Sequence, residues 1–480
     1  DTTPSTPEIG ISIGDIATAT VTLFDGLTTD VEEVDPPYDA NRITTPKSHF
    51  AKLFARNVIK YRPARIIRGY INDDQEFFYE NSQVEHYIIE TNTKPSTGDG
   101  EVTFDLADVM LLTNIDNAKI PEQSNGTITT DIDDVTDPVL VNYTSSDYEL
   151  EYGVIGSSFI GLIDDEIMTL TIDSDTQMTG VRSQYNSLID THTAESTIQK
   201  GLPYLDVHFI DAMKDLFSRT SIPPSYIPNA KWDALKTGEL SSIFVNNILF
   251  EPLEFKEILS YLIKDSGVAM FTDIILQEIT MIATPEIDSP VIVYDAEQHI
   301  LANSLQVNPL DDKTITRQLI HYSKKSYTEN DEAKNYSGHF EPKDDFQEGP
   351  ARIGVPFAGE TIFSNWLRGS LGASQASSVT ERNVQRFSQP PSEVTILTDS
   401  AYIGNVDGGR MWTGSVYQVQ VPNRVSSTST AEDEVLTCQC LSVKSVDYDT
   451  WEVKGISYQA NIPSNVDFII TSNKIDYVLA

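Results

Sequence analysis

Val435-Leu-Thr-Cys-Gln-Cys-Leu-Ser-Val443 reads as a β-strand. Side chains alternate between two faces of an extended chain, so Cys438 and Cys440, which flank Gln439, fall on one side. They are the chain's only cysteines. Two thiols do not complete a zinc site, and one pair in 480 residues is no disulfide framework, so both read as small buried hydrophobes. The run belongs to a longer stretch, Glu393 to Tyr477, in which strand follows strand across polar turns. That pattern fits a closed β-barrel or a small sandwich.

The rest of the chain is also β-rich, with helices concentrated in the middle. Thr20-Val-Thr-Leu-Phe24 alternates. Thr45 and Pro46 then suit the cap and first position of a helix that repeats Phe50, Leu53, Phe54 and Val58 on one face. Arg65 to Tyr70, Val84 to Glu90 and Glu101 to Leu106 form a meander, with a turn at Ser96 to Gly100. Further short β-runs include Glu166-Ile-Met-Thr-Leu-Thr-Ile172. Helices are expected over Phe209 to Arg219 and over Leu253 to Lys264, where Ile258, Leu259, Leu262 and Ile263 make an apolar stripe ended by Gly267. Strands over Val268 to Ala283, Val291 to Tyr294, Leu305 to Val307 and Thr314 to Tyr322 make this segment α+β. A last helix, Gln375 to Phe387, stops at Pro390-Pro391. The expected organisation is a β segment with one helix over 1–118, an inserted β-subdomain over 119–200, an α+β middle over 201–390 and a second β-barrel segment over 391–480.

Charge is distributed unevenly. Thirty-three Lys and Arg face 72 Asp and Glu, a net charge of −39, which opposes general binding to nucleic acid phosphate and to anionic membrane surfaces. With 39% hydrophobic and 9% aromatic residues, the chain has ample material for packed cores. Between Lys119 and Arg182 lie 13 acids and no base, whereas Arg42 through Arg68 holds eight bases and no acid. On the expected helix, Lys52, Arg56 and Lys60 share one face. That row is either a solvated surface or a docking surface for an acidic partner, with the acidic insertion left to solvent.

No pattern for chemistry emerges. The histidines, His49, His86, His192, His208, His299, His321 and His339, include no pair at metal-ligand spacing. Asp131, Asp133, Asp134 and Asp137 could face a calcium ion, but the Gly and late Glu of an EF-hand loop are missing. There is no phosphate loop, no G-x-S-x-G elbow and no recognisable Cys-His pair. Acidic pairs such as Asp164-Asp165 and Asp344-Asp345 are too common among 72 acids to signal glycoside hydrolysis. The expectation is a protein that is not an enzyme, has no cofactor or metal, and inserts no segment into a membrane.

A family resemblance adds to this reading. Phe50-Ala-Lys-Leu-Phe-Ala-Arg-Asn57 and Arg62-Pro-Ala-Arg-Ile-Ile-Arg-Gly-Tyr70 resemble segments of siphophage tail-tip (baseplate) hub proteins. So do His86-Tyr-Ile-Ile-Glu90, Gly100-Glu-Val-Thr-Phe104, Asp108 and Leu111 to Asn117. Ile163-Asp-Asp-Glu-Ile-Met168, Arg182-Ser-Gln-Tyr-Asn186 and Thr191-His-Thr-Ala194 are similar in turn, as are Ile222 to Pro228, Trp232, Asp233 and Glu251 to Leu259 before Ser266-Gly267. The resemblance runs from Gly10 to Tyr458 in order. One departure is Asn186-Ser187 in place of the family's frequent Gly-Thr, which implies a different turn; the other is the larger acidic excess.

The resemblance implies tail-tube-like β-barrels, two per chain, with an inserted β-subdomain and a helical middle, set by a homotrimer into a pseudo-sixfold ring. It implies a structural virion protein at the distal tip of a bacteriophage tail, which closes the tube and opens for genome ejection. Its partners would be the distal tail protein ring, the tape-measure protein and a central tail fibre or tip proteins, with no sequence-specific nucleic acid contact. The family implies no catalytic residue. The competing readings are a tail-associated cell-wall hydrolase and a receptor-binding adhesin module.

Overall fold

A computed structural model of the chain describes residues 2–3, 16–24, 27–28, 47–48, 50, 53–54, 58–69, 83–93, 101–113, 119–238, 240–283, 292–326, 330–343, 359–369, 371–388, 390–403, 411, 413–425, 433–447 and 449–457. The fold is β-rich α+β, built from three larger sheets around a helical centre.

The N-terminal sheet has five strands in the order Thr2–Thr3, Thr18–Phe24, Glu101–Ala107, Gln83–Asn92, Pro63–Arg68, antiparallel throughout. Ala17, Ala19, Tyr87 and Leu106 fill its core. Phe50, Leu53 and Phe54 are helical, and the rings of Phe50 and Phe54 both lean edge-on to Phe104, at 5.7 and 6.0 Å. Thr45, Pro46, Lys52 and Arg56 lie outside the described residues. Lys60 departs from the expectation: it stands in a turn with Tyr61, whose φ is 65°, so the helical face does not reach it.

The inserted segment makes a small barrel. Its strands run Ile198–Lys200, Ser158–Ile163, Glu166–Ile172, Gln177–Val181, Val139–Thr144, Thr127–Ile128. The two ends meet at the Thr127–Thr197 bridge, with Ile128 N donating to Ser196 O at 2.9 Å and Ile198 N to Gly126 O at 2.9 Å. This near-closure pairs the two end strands with each other and shortens the exposed edges. The alternation of Val139-Leu-Val-Asn-Tyr-Thr144 sends Val139, Val141 and Tyr143 inward, where they meet Ile163, Met168, Leu170, Ile172 and Met178. The interior is narrow: a Cβ on Gly161 would come 2.5 Å from a Leu170 methyl. A larger residue there would push the Leu170 side chain aside.

The middle holds the largest core. Phe209–Ser218, Asn229–Thr237 and Phe255–Ser266 are helices, and Phe209, Met213, Leu216, Phe217, Trp232, Phe255 and the expected stripe Ile258, Leu259, Leu262 and Ile263 are all buried together. Gly267, at φ 65°, ends the third helix in the left-handed conformation that glycine adopts freely. The Val268–Asp273 and Glu278–Ala283 hairpin follows.

The C-terminal sheet is ordered Ile292–Tyr294, Val416–Val425, Asp433–Ser445, Thr450–Ser457, Ser392–Asp399, Gln306–Pro309. Two of its strands thus come from the span read as the middle segment, and one, Ile292–Tyr294, pairs in parallel. Cys438 and Cys440 are fully buried in its core beside Tyr294 and Tyr417, and burial pushes both thiols up. Where a strand was expected over Thr314 to Tyr322, only Ile320–Lys324 forms one. It sits between Tyr336–Phe340 and Ile362–Phe363, against the helix Gly372–Phe387. No helix among the described residues is long and apolar enough to cross a membrane.

Candidate functional site: a buried Asp-His-Glu-Arg network

The most concentrated polar chemistry among the described residues lies at one end of the inserted barrel. Asp164 and Asp165 form the two-residue turn between Ser158–Ile163 and Glu166–Ile172, with Asp164 at φ 51°, a conformation Asp tolerates. The turn points Glu166 into the barrel end, where it is fully buried. Arg182 enters directly after the Gln177–Val181 strand and is 2% exposed. Its Nε donates to Glu166 Oε1 at 3.0 Å and its Nη2 to Oε2 at 2.6 Å, a bidentate pair. Glu166 also accepts from Ser183 N and Asp190 N, each at 3.1 Å. His192 lies between two carboxylates, Nδ1 2.8 Å from Asp164 Oδ2 and Nε2 2.9 Å from Glu166 Oε2.

Burial pushes the Glu166 carboxyl up, but the hydrogen bonds from Arg182, His192, Asp190 and Ser183 outweigh it and hold it below the usual carboxylate range. The pair with Glu166 in turn raises Arg182 further. Arg182 also donates to the carbonyls of Asp133 and Asp190, so one guanidinium fastens two loops to the barrel. Ser196 Oγ donates to the same Asp164 Oδ2 at 3.1 Å, so the partners are side chains and backbone groups of strand ends, turns and loops. This arrangement fastens chain segments to one another.

The loop Ser183 to Ser187 owes its shape to left-handed residues: φ is 52° at Ser183, 55° at Tyr185 and 65° at Asn186. Asn186 therefore occupies a conformation that glycine also favours, so the Asn in place of Gly does not require the different turn that the sequence suggested. Ser187 Oγ accepts from Ile167 N at 3.0 Å and donates to Gln184 O at 2.9 Å, tying the loop down.

Three of the four acids read as a calcium candidate accept backbone hydrogen bonds. Asp133 accepts from Thr136 N at 2.9 Å and Val135 N at 3.1 Å, and these bonds hold its carboxyl below the usual range. Asp131 accepts from Ala194 N at 2.8 Å and Asp137 from Arg182 N at 3.1 Å. Among the described residues no group of three or more His, Cys, Asp or Glu side chains is arranged to hold a metal ion. Asp344-Asp345 and His49 lie outside them. His208 caps Phe209–Ser218 by accepting from Ile210 N at 3.1 Å, and His299 accepts from Asp295 N at 3.0 Å. His86 is held low by burial and by Arg65. Strand pairing brings His321 opposite His339, their rings 6.1 Å apart, which linear spacing could not show. Lys60 is exposed, its ammonium 4.6 Å from the Tyr61 ring.

No family model matches this chain, and no curated protein does. Among solved structures it is similar to prophage tail protein gp18 from Listeria monocytogenes EGD-e, at 7% identity over 82% of this chain and 84% of that one, with a TM-score of 0.32. It is also similar to the 43 kDa tail protein of prophage MuSo2 from Shewanella oneidensis, at 8% identity over 82% and 90% of the two chains, with a TM-score of 0.35. Neither likeness transfers a residue's role to this chain.

Proposed function

We propose that this chain is a structural bacteriophage tail protein, and within the tail the homotrimeric hub at the distal tip. In this reading it closes the tube, meets the distal tail protein ring above and the tape-measure protein within, carries the central fibre or tip proteins, and opens for genome ejection. It does so by changing contacts, without catalysis.

The observation that carries the reading is where the family-like segments fall in the fold. Ile163 to Met168, Arg182 to Asn186 and Thr191 to Ala194 are separated in sequence yet supply Asp164, Glu166, Arg182 and His192 to one buried network. Trp232 is fully buried, its Nε1 donating to Ile279 O at 3.0 Å, and Glu251 to Leu259 opens the helix that Gly267 caps. The resemblance thus rests on the residues that fasten the fold, and not on scattered surface matches. The net charge of −39 suits a passage for DNA, because a lumen that repels phosphate does not retain it.

Native mass measurement of the purified chain and electron cryomicroscopy of assembled tails test the reading. A homotrimer forming a pseudo-sixfold ring is expected. A stable monomer or a plain hexamer would sink it.

A further inference from the structure

The inserted barrel keeps large apolar side chains in solvent beside its carboxylates. Val135 is 82% exposed and Leu188 83%, and Leu140 and Val181 are exposed as well. These residues share one place. Arg182 reaches the carbonyl of Asp133 with Nη1 and that of Asp190 with Nη2, so the Val135 and Leu188 loops close over a single guanidinium, at the end of the strand that carries Val181. Asp131, Asp133, Asp134, Asp137 and Asp190 stand exposed around it. A solvated acidic face has no use for exposed Val and Leu, and an apolar patch with a rim of one charge sign is the composition of a contact surface.

A surface of opposite charge and similar apolar character lies elsewhere in the same chain. Among the described residues, Pro63–Arg68 is the outer strand of the N-terminal sheet and pairs with Gln83–Asn92. Its outward face carries Pro63, Arg65 and Ile67, and the preceding turn adds Val58, 78% exposed, with Lys60 and Tyr61. Val58 to Arg68 contains four bases and no acid.

We infer that the acidic apolar patch of the barrel receives the basic outer strand Pro63–Arg68, with its Val58 to Tyr61 turn, of a second copy of this chain. Charge complementarity selects that occupant. Each copy carries both halves, so the contact is head-to-tail and closes into a ring when its rotation fits a whole number of copies. The number of copies rests on the trimer reading; the pairing of the two surfaces does not. Apolar contact supplies most of the affinity, and the charges set register and encounter rate. The acidic insertion, which the sequence leaves to solvent, becomes one side of the subunit interface.

The test uses the full chain, its self-association followed by native mass measurement and sedimentation, with circular dichroism as a check on folding. Arg65→Glu and Asp134→Lys each reverse one exposed charge, and Asp134 stands outside the Arg182 network. Each alone is expected to weaken self-association by roughly tenfold or more, and the two combined in one chain to restore most of it. Leu188→Ser removes an exposed apolar contact without a charge change and is expected to weaken association in the same direction. Oligomers of unchanged strength in both charge variants would overturn the inference and leave the ring intact. Weakened singles with no recovery in the combined variant would also overturn it. A wild-type chain monomeric at every concentration would overturn the inference and the ring together.

Discussion

Arg182 and Glu166 show how much a single buried pair decides. Both side chains are fully buried, and their two hydrogen bonds hold the barrel end together with the backbone of Ser183 and Asp190. Removing one partner strands the other charge in a place without water, at a cost of about 3–5 kcal/mol. Arg182→Met is therefore expected to lower stability by about that amount in urea titrations. Arg182→Lys should recover little, because an ammonium cannot supply the planar fork that meets both carboxylate oxygens. A loss below about 1 kcal/mol for Arg182→Met would mean that the network does not fasten the barrel. Asp265 makes the opposite case. Burial pushes its carboxyl up to about 7, although Ser364 Oγ at 2.7 Å and Trp366 N at 3.2 Å both donate to its Oδ2. The folded state then keeps a proton that the unfolded chain releases near its ordinary value of 3.8. Its contribution is complete below that value and is lost as pH rises towards 7. Asp265→Asn can keep both hydrogen bonds on one oxygen and never ionises. The variant is expected to be more stable than the parent at pH 8, by up to ~4 kcal/mol, and the gap should close by pH 4. A gap independent of pH would refute the assignment.

At the scale of elements, much was legible in the sequence where periodicity and burial agree. The stripe Ile258, Leu259, Leu262 and Ile263 with its terminal Gly267 gives the helix Phe255–Ser266, and the alternation about Cys438 and Cys440 gives a strand with both thiols inside. Pairing is where local pattern ran out. Ile292–Tyr294 and Gln306–Pro309 read as strands, but nothing in their few residues says that they join a sheet whose other members begin at Ser392. The buried network was half visible. Asp164, Glu166, Arg182 and His192 all lie in segments singled out by resemblance, yet their convergence depends on strand pairing: Val181 opposite Thr169 sets Arg182 beside the Glu166 strand, and Ile198 opposite Ile163 and His192 opposite Ile132 return the His192 segment to the same end. Lys60 leaves the expected helical row for a local reason. Tyr61 takes a left-handed φ, which turns the chain into the Pro63–Arg68 strand and removes Lys60 from any helical face.

Taken as a whole, the molecule combines units of unequal exposure, and this sets where it opens. The inserted barrel is nearly closed: its end strands meet through Thr127 and Thr197, and Met168, Leu170 and Ile172 are fully buried inside it. Amides there exchange with solvent only when the barrel itself opens, so they report a free energy near that of the whole unit. Among the described residues, the N-terminal sheet ends in Pro63–Arg68, which pairs with Gln83–Asn92 and has an exposed outward face. Its amides open by local fraying, close to the low end of the stability range. Hydrogen exchange measured in dilute solution is therefore expected to be slow at Met168 and Leu170 and fast along Arg65 to Arg68. Raising the concentration through the assembly transition should then protect two places together, the Pro63–Arg68 strand and the loops at Val135 and Leu188, while the barrel interior stays as slow as before. Protection appearing on the strand without the loops would mean that its partner lies elsewhere. A uniform slowing across the chain would mean that assembly stabilises the fold globally and does not cover these two faces.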